Sequence, residues 1–273
     1  MRRIVYDAPM DKLRSTDVRD VYHAEYFTDR VDGHAAFAAF DGTPATLFDR
    51  ARRNLELLAP QPGERLLELG CGRGEVVLAA AAAGTPAVGV DFAPAALALA
   101  RARQRTIEAQ RGAPLPASFV AGAAAEVAFA PASFDCALLA EFIEHIAPAE
   151  AAVALRNLRG WLRPGGRVLV YTYPNVWARR SYPLMRSWAN RVRGMQLPDR
   201  PEDTTHPDYQ RLHLNEQSPR SLARALQRAG FVGVRVWLDT PREAGGLALL
   251  KNTPLYRNLF GYNLVATAST RAR

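Results

Sequence analysis

The sequence predicts an α/β protein with a mostly parallel, doubly wound sheet and helices on both faces. Three observations carry this. Short apolar strand patterns alternate with helical patterns from residue 61 onward, as βαβ units require. The first strand pattern runs into Gly70-Cys71-Gly72-Arg73-Gly74 and then directly into an alanine-rich helix. A second strand pattern ends in Asp91, 21 residues after Gly70. In such a sheet those two strand ends lie side by side.

The chain has 273 residues, the size of one large domain with an elaboration. Residues 1–60 read as an N-terminal helical cap rich in aromatics, with Tyr22, Tyr26, Phe27, Phe37, Phe40 and Phe48. Apolar positions recur at helical spacing from Ala45 to Leu58, and Pro60 and Pro62 end that helix. Residues 61–273 read as the main domain. Its strands are expected at Arg65–Leu69, Ala87–Asp91, Ser118–Ala121, Phe134–Ala140, Arg167–Tyr173, Phe231–Leu238 and Tyr262–Ala268. Its helices are expected at Gly74–Ala83, Ala95–Gln110, Ala149–Leu162 and Pro219–Ala229. The last two strands lack a crossover helix of the earlier kind, so an antiparallel edge strand is expected there. No strand is expected between Pro174 and Pro219. A connection that long reads as a lid-like insertion at 176–219.

At 48% hydrophobic and 23% charged, the composition is that of a globular protein with ample core. The longest apolar run, Val76–Ala83, falls far short of the ~20 residues that a membrane helix needs. The N-terminus turns acidic at Asp7 before an apolar stretch develops, so no secretory leader is expected. Two cysteines, Cys71 and Cys136, cannot build a disulfide framework or a cysteine zinc site. A reducing, cytoplasmic location is expected. The net charge is +8, yet Lys12 and Lys251 are the only lysines. That excludes a lysine-bearing phosphate loop.

The chemistry gathers at the first two strand ends. Glycines at the turn let backbone approach a ligand that a Cβ would exclude, and Asp91 can accept both hydroxyls of a ribose. Position 75 is Glu where a dinucleotide fingerprint has its third glycine, and Glu68 lies within the strand end. Carboxylates repel a pyrophosphate and attract an α-ammonium group. The pair therefore favours an amino-acid-bearing nucleoside over a dinucleotide. By themselves the glycines are also compatible with an ordinary strand–helix turn.

The segment Glu68-Leu69-Gly70-Cys71-Gly72-Arg73-Gly74 resembles the E-x-G-C-G-x-G motif of class I S-adenosylmethionine-dependent methyltransferases of the small-molecule type. Three further segments match in order: Ser133-Phe134-Asp135, Glu141-Phe142-Ile143-Glu144-His145, and Leu162-Arg163-Pro164-Gly165-Gly166. The resemblance includes the ubiquinone-pathway O-methyltransferases. It implies a Rossmann-like seven-stranded sheet in the order 3-2-1-4-5-7-6 with strand 7 antiparallel, and S-adenosylmethionine as cofactor. It places Glu68, Gly70, Cys71, Gly72 and Gly74 around the methionine, Asp91 on the ribose, Phe92 beside the adenine, and Glu141 at the cofactor. The family's acid after the third strand is replaced by Ala123, so adenine recognition falls to backbone groups near Ala124 and Ala125, or to Glu126.

Glu141, Glu144 and His145 follow the fourth strand, on the ligand-binding edge. One reading makes His145, with a pKa near neutrality, a base for the acceptor, with Glu144 orienting it. A second is a metal site completed by His213. A third is a helix start where acids offset the dipole. A site without metal is the expectation. In the insertion, Leu184, Met185, Trp188, Val192 and Met195 fall on one helical arc, with Pro183 in the first turn. That arc fits a lid packed on the domain, a peripheral membrane contact, or a partner surface. No nucleic-acid-binding module flanks the core, and the arginine excess is spread along helices, which argues against nucleic acid. The function expected is methyl transfer to an oxygen or nitrogen of a small-molecule acceptor, an anionic one included. The alternatives are metal-assisted O-methylation of an RNA end or a polyprenyl ring, and a non-catalytic cofactor-binding protein. Oligomeric state is not legible.

Overall fold

The computed structural model describes residues 20–31, 33–194, 196, 209–239, 253 and 261–272. Met195, part of the expected 176–219 insertion and the start of the expected cap lie outside those ranges. Seven strands form one sheet in the order β3-β2-β1-β4-β5-β7-β6. They are β1 (Leu66–Leu69), β2 (Ala87–Asp91), β3 (Ala117–Ala121), β4 (Phe134–Ala140), β5 (Leu162–Thr172), β6 (Val232–Leu238) and β7 (Leu264–Ser269). The pairs from β3 to β5 are parallel, and β7 runs antiparallel to both β5 and β6. The expected strand order and the antiparallel β7 are both present.

Side-chain alternation builds a core on each face. Leu67 and Leu69 of β1, Ala137 and Leu139 of β4, and Val168 and Val170 of β5 share one cluster with Leu155, Leu158, Leu222 and Leu226. Those leucines come from α5 (Pro148–Trp161) and α8 (Pro219–Arg228). Leu66, Cys136, Leu138, Leu169 and Tyr171 point the other way. They meet Leu55 and Leu58 of α2 (Asp49–Leu58), Val77 and Leu78 of α3 (Glu75–Ala82), and Leu97 and Ile107 of α4 (Pro94–Arg111). Each fully buried leucine contributes about 1.5–3 kcal/mol, so the two layers fix the register of the sheet.

Most element ends match the sequence pattern within a residue or two. The helix expected at Ala45–Leu58 splits into a short 3₁₀ turn at Pro44–Thr46 and α2. Strand β5 begins earlier than expected, because its first residue Leu162 already pairs with Phe134. Ahead of α2, a π-helical turn at Tyr26–Arg30 and α1 (His34–Ala39) form the described part of the cap.

The insertion departs most from expectation. Helix α6 (Val176–Arg193) starts where Asn175 caps it, its side chain accepting from the Trp177 amide at 3.1 Å. Pro183 therefore lies inside the helix and not in its first turn. Ala178 and Tyr182 are buried, whereas Leu184, Trp188 and Val192 are 78%, 51% and 64% exposed. These three side chains of the expected arc are largely exposed. A short helix, α7 (Tyr209–Leu212), leads back to the sheet edge.

Candidate functional site

The parallel strands β1, β2, β4 and β5 end on one edge, and a cleft of about 890 Å³ opens there. Antiparallel β7 begins at the same edge, so Asn263 also reaches the cleft. The glycine turn forms one wall. Gly72 has φ +50, and a Cβ there would meet nothing within 4 Å, so the backbone is bare toward the cleft. Gly74 stands behind it with φ +75, where a Cβ would lie 2.5 Å from Phe119 Cε1. Only glycine lets α3 start this close to β3.

Asp91 anchors the turn from the neighbouring strand. Its carboxylate accepts from the Gly72 amide at 2.9 Å and from the Ala93 amide at 2.8 Å. Each oxygen keeps a second lone pair for a ligand hydroxyl. Glu68 is buried, and its Oε2 has no hydrogen-bond partner. Burial, with Glu75 and Asp91 close by, pushes the Glu68 carboxyl well above the usual range. Burial raises Asp91 as well. Three acids lie at one end of the cleft; Arg73 pairs with Glu75 at 2.8 Å, and a ligand cation there would favour the ionised form of Glu68.

Phe92 and the Gly122–Glu126 turn, including Ala124 and Ala125, form the far wall. Cys71, Gly70 and Glu141 line the cleft too. Of the expected cofactor residues, only Gly74 stays off the surface, as the turn's support. The expected adenine contacts thus converge with Asp91, without an acid at Ala123.

Beyond β4 the geometry separates two neighbours in sequence. A 3₁₀ turn, Ile143–His145, sends His145 into the cleft and Glu144 into the core. Glu144 is 0% exposed. Its carboxyl accepts from Thr172 Oγ1 at 2.8 Å and from the Tyr173 amide at 3.3 Å. Its backbone carbonyl accepts from the Leu214 and Asn215 amides. Glu144 thus braces β5 and the segment after α7, and does not face the cleft as the sequence reading placed it. Burial pushes its pKa up to about 8.

His145 Nδ1 lies 3.1 Å from the Leu212 carbonyl. A carbonyl only accepts, so Nδ1 carries the hydrogen and Nε2 is the ring's acceptor. Burial and the adjacent His213 imidazole push His145 down to about 3, not near neutrality as expected. The His145 and His213 rings stand edge to face, 4.9 Å between centroids. His213 lies 3.7 Å from Glu216, which pairs with Arg179 of α6 at 2.6 Å. Glu141, Glu144, His145 and His213 do not share one focus. Among the described residues no group of three or more His, Cys, Asp or Glu is placed to hold a metal ion.

Several cleft residues were not singled out from the sequence. Arg50 of α2 pairs with Glu141 at 2.8 Å and stacks near Phe48, Tyr171 and Tyr173. Asn54, one turn on, is buried on the cleft wall, its Oδ1 without a hydrogen-bond partner. Arg73, inside the glycine turn, is 3% exposed. It donates to the Phe27 carbonyl at 2.9 Å, pairs with Glu75 at 2.8 Å and lies over the Phe37 ring. It ties the cap to the turn. Tyr22, Tyr26, Phe27 and Arg30 of the cap roof the cleft, and Leu212 and His213 are the insertion's described contribution. Among the described residues none of α6 lines it.

A doubly wound sheet with a glycine turn, a strand-end acid and a buried carboxyl whose Oε2 has no hydrogen-bond partner fits a binder of an amino-acid-bearing nucleoside. Residues 45–236 match the family model described as a methyltransferase domain. Nocamycin O-methyltransferase from Saccharothrix syringae is 36% identical over 208 residues, 72% of this chain and 69% of the relative. A ubiquinone/menaquinone biosynthesis C-methyltransferase from Rubrivivax gelatinosus is 28% identical over 190 residues, 69% of this chain and 70% of the relative. Phosphoethanolamine N-methyltransferase 2 from Haemonchus contortus, solved with S-adenosyl-L-methionine, superimposes with a TM-score of 0.58. It is 18% identical, and the match covers 92% of this chain and 60% of that one. The chain belongs to the methyltransferase family. It is an S-adenosylmethionine-dependent enzyme.

Proposed function

We propose that the enzyme methylates an oxygen or nitrogen of a small-molecule acceptor, with the cofactor along the glycine turn and the acceptor between His145 and the cap. The observation that carries this is the orphaned Oε2 of Glu68 in the same cleft as Asp91. Those two carboxylates fit the cofactor's ammonium and its ribose hydroxyls respectively. When bound, S-adenosylmethionine supplies an electrophilic methyl group on a positively charged sulfur. Glu68 and Asp91 hold the two ends of the cofactor and fix its direction. Arg50 offers a cation for the methionine carboxylate, and Gly72 admits the chain by leaving its wall bare. Phe92, Ala124 and Ala125 enclose the base. The cap, latched through Arg73, and the Leu212–His213 segment exclude water from the acceptor end.

His145 presents a neutral imidazole on the wall of the acceptor end, held there by the Leu212 carbonyl. Glu144 acts through it, as the brace of its backbone turn. The acceptor is proposed as small because the cap and the Leu212–His213 segment enclose His145. Similarity to nocamycin O-methyltransferase supports an oxygen acceptor. The test is chromatographic detection of S-adenosylhomocysteine released with a panel of hydroxyl, carboxyl and amine acceptors, before and after chelation. Acceptor-dependent release that survives chelation is expected. Release that stops on chelation and returns with a divalent ion would instead favour the metal-assisted alternative.

A further inference from the structure

Tyr22 of the cap reaches the acceptor end of the cleft. Its hydroxyl is fully buried on the cleft wall and has no hydrogen-bond partner. A buried hydroxyl without a partner is destabilising, and each such group calls for an explanation. Its ring stands edge-on to Phe92 at 5.2 Å and to His145 at 6.4 Å between centroids. The preceding Val21 packs with Leu212 and Leu214, the segment whose carbonyl holds His145. The hydroxyl therefore sits where the cap, that segment and His145 meet.

We propose that Tyr22 is an acceptor-binding residue whose hydroxyl donates a hydrogen bond to the reacting oxygen of an acceptor that arrives as an oxyanion, a carboxylate or an acidic enol or phenol. The proposal rests on the methyl-transfer reading and names the substrate class of that same site.

Burial, with Tyr26, Asp91 and Glu144 nearby, raises the Tyr22 phenol well above its ordinary value, so it stays a donor. Near neutral pH His145 is neutral and a poor proton acceptor. An alcohol or an ammonium group would find no base among these groups, whereas an ionised oxygen needs none. The acid beside Tyr22, Glu144, is protonated at neutral pH, and Asp91 accepts from two amides with its remaining lone pairs assigned to the ribose hydroxyls by the reading above. In the transfer, a lone pair on the acceptor oxygen forms the O–CH₃ bond as the S–CH₃ bond breaks. The electron pair of the broken bond stays on sulfur. One negative and one positive charge cancel, and no proton moves.

The experiment titrates the enzyme, loaded with S-adenosylhomocysteine, with two matched pairs of probes by ligand-observed NMR. The pairs are phenylacetate with 2-phenylethanol, and 4-hydroxycoumarin with coumarin. Wild type is expected to bind each acid more tightly than its neutral partner. Tyr22→Phe is expected to weaken the acids by at least about tenfold, as for a hydrogen bond to a charged group, and to leave the neutral probes unchanged. S-adenosylhomocysteine affinity should stay within about threefold by calorimetry. The melting temperature should hold or rise, because the change deletes only an unpartnered hydroxyl. Undiminished acid binding by Tyr22→Phe overturns the proposal, as does a wild type with no preference for acids. A matching loss of S-adenosylhomocysteine affinity overturns it too, by placing the hydroxyl on the cofactor. A wild type that binds no S-adenosylhomocysteine removes the methyl-transfer reading itself.

Discussion

Glu144→Gln changes the stability of this enzyme in a pH-dependent way that the structure fixes in sign. The carboxyl is 0% exposed and is held neutral by burial, with a pKa of about 8 against an ordinary 4.5. Its folded pKa is raised, so its contribution to stability is complete below about pH 4.5 and is lost as pH rises toward 8. At about 1.4 kcal/mol per unit, that interval corresponds to on the order of 4–5 kcal/mol. Glutamine keeps the shape and can still accept from Thr172 or Tyr173, but it cannot ionise. Glu68, Glu75 and Asp91 are raised in the same direction, and His145 works oppositely, losing its contribution as pH falls from 6.5 toward 3. The difference between variant and wild type isolates Glu144. Urea unfolding should find Glu144→Gln within about 1 kcal/mol of wild type at pH 5 and more stable by several kcal/mol at pH 8.5. Stability profiles that stay parallel from pH 5 to 8.5 would refute the buried, neutral carboxyl.

Two further substitutions probe the glycine turn. Gly74→Ala forces a Cβ to 2.5 Å from Phe119 at φ +75, so it should cost at least about 2 kcal/mol in denaturant unfolding and weaken cofactor binding. Arg73→Ala removes the contacts to Phe27, Glu75 and Phe37 and leaves the Glu75 carboxylate buried without its cation. A loss of about 3–5 kcal/mol is expected, with limited proteolysis cutting near Thr28–Val31 sooner than in wild type.

The fold was legible because strands alternate side chains between two cores, as in Leu66–Leu69, and the crossover helices start at a glycine or proline, as at Gly74, Pro94 and Pro148. The glycine turn and Asp91 were legible as cleft residues because a glycine run at a strand end and a strand-end acid leave marks in sequence, whereas Phe92 entered only through the family resemblance. Arg50 was not, since beside Arg52 and Arg53 it reads as one more surface arginine of α2. Only the packing of α2 on the sheet turns it to the cleft. The opposed fates of Glu144 and His145 depend on the 3₁₀ turn at Ile143–His145, which no periodicity announces. The lowered pKa of His145 follows from the later Leu212–His213 segment folding against it. Helix α6 was misjudged at Pro183, because Asn175 starts the helix two turns earlier than the apolar arc suggested.

The central claim is that Asp91 and the glycine turn hold S-adenosylmethionine, and calorimetric titration with S-adenosylhomocysteine tests it most directly. One equivalent should bind per chain. Asp91→Ala should lose at least about 2 kcal/mol of that affinity, because it deletes a charged acceptor for the ribose and releases the Gly72 and Ala93 amides. Undiminished affinity in Asp91→Ala, or tighter binding of NAD than of S-adenosylhomocysteine by wild type, would contradict the account.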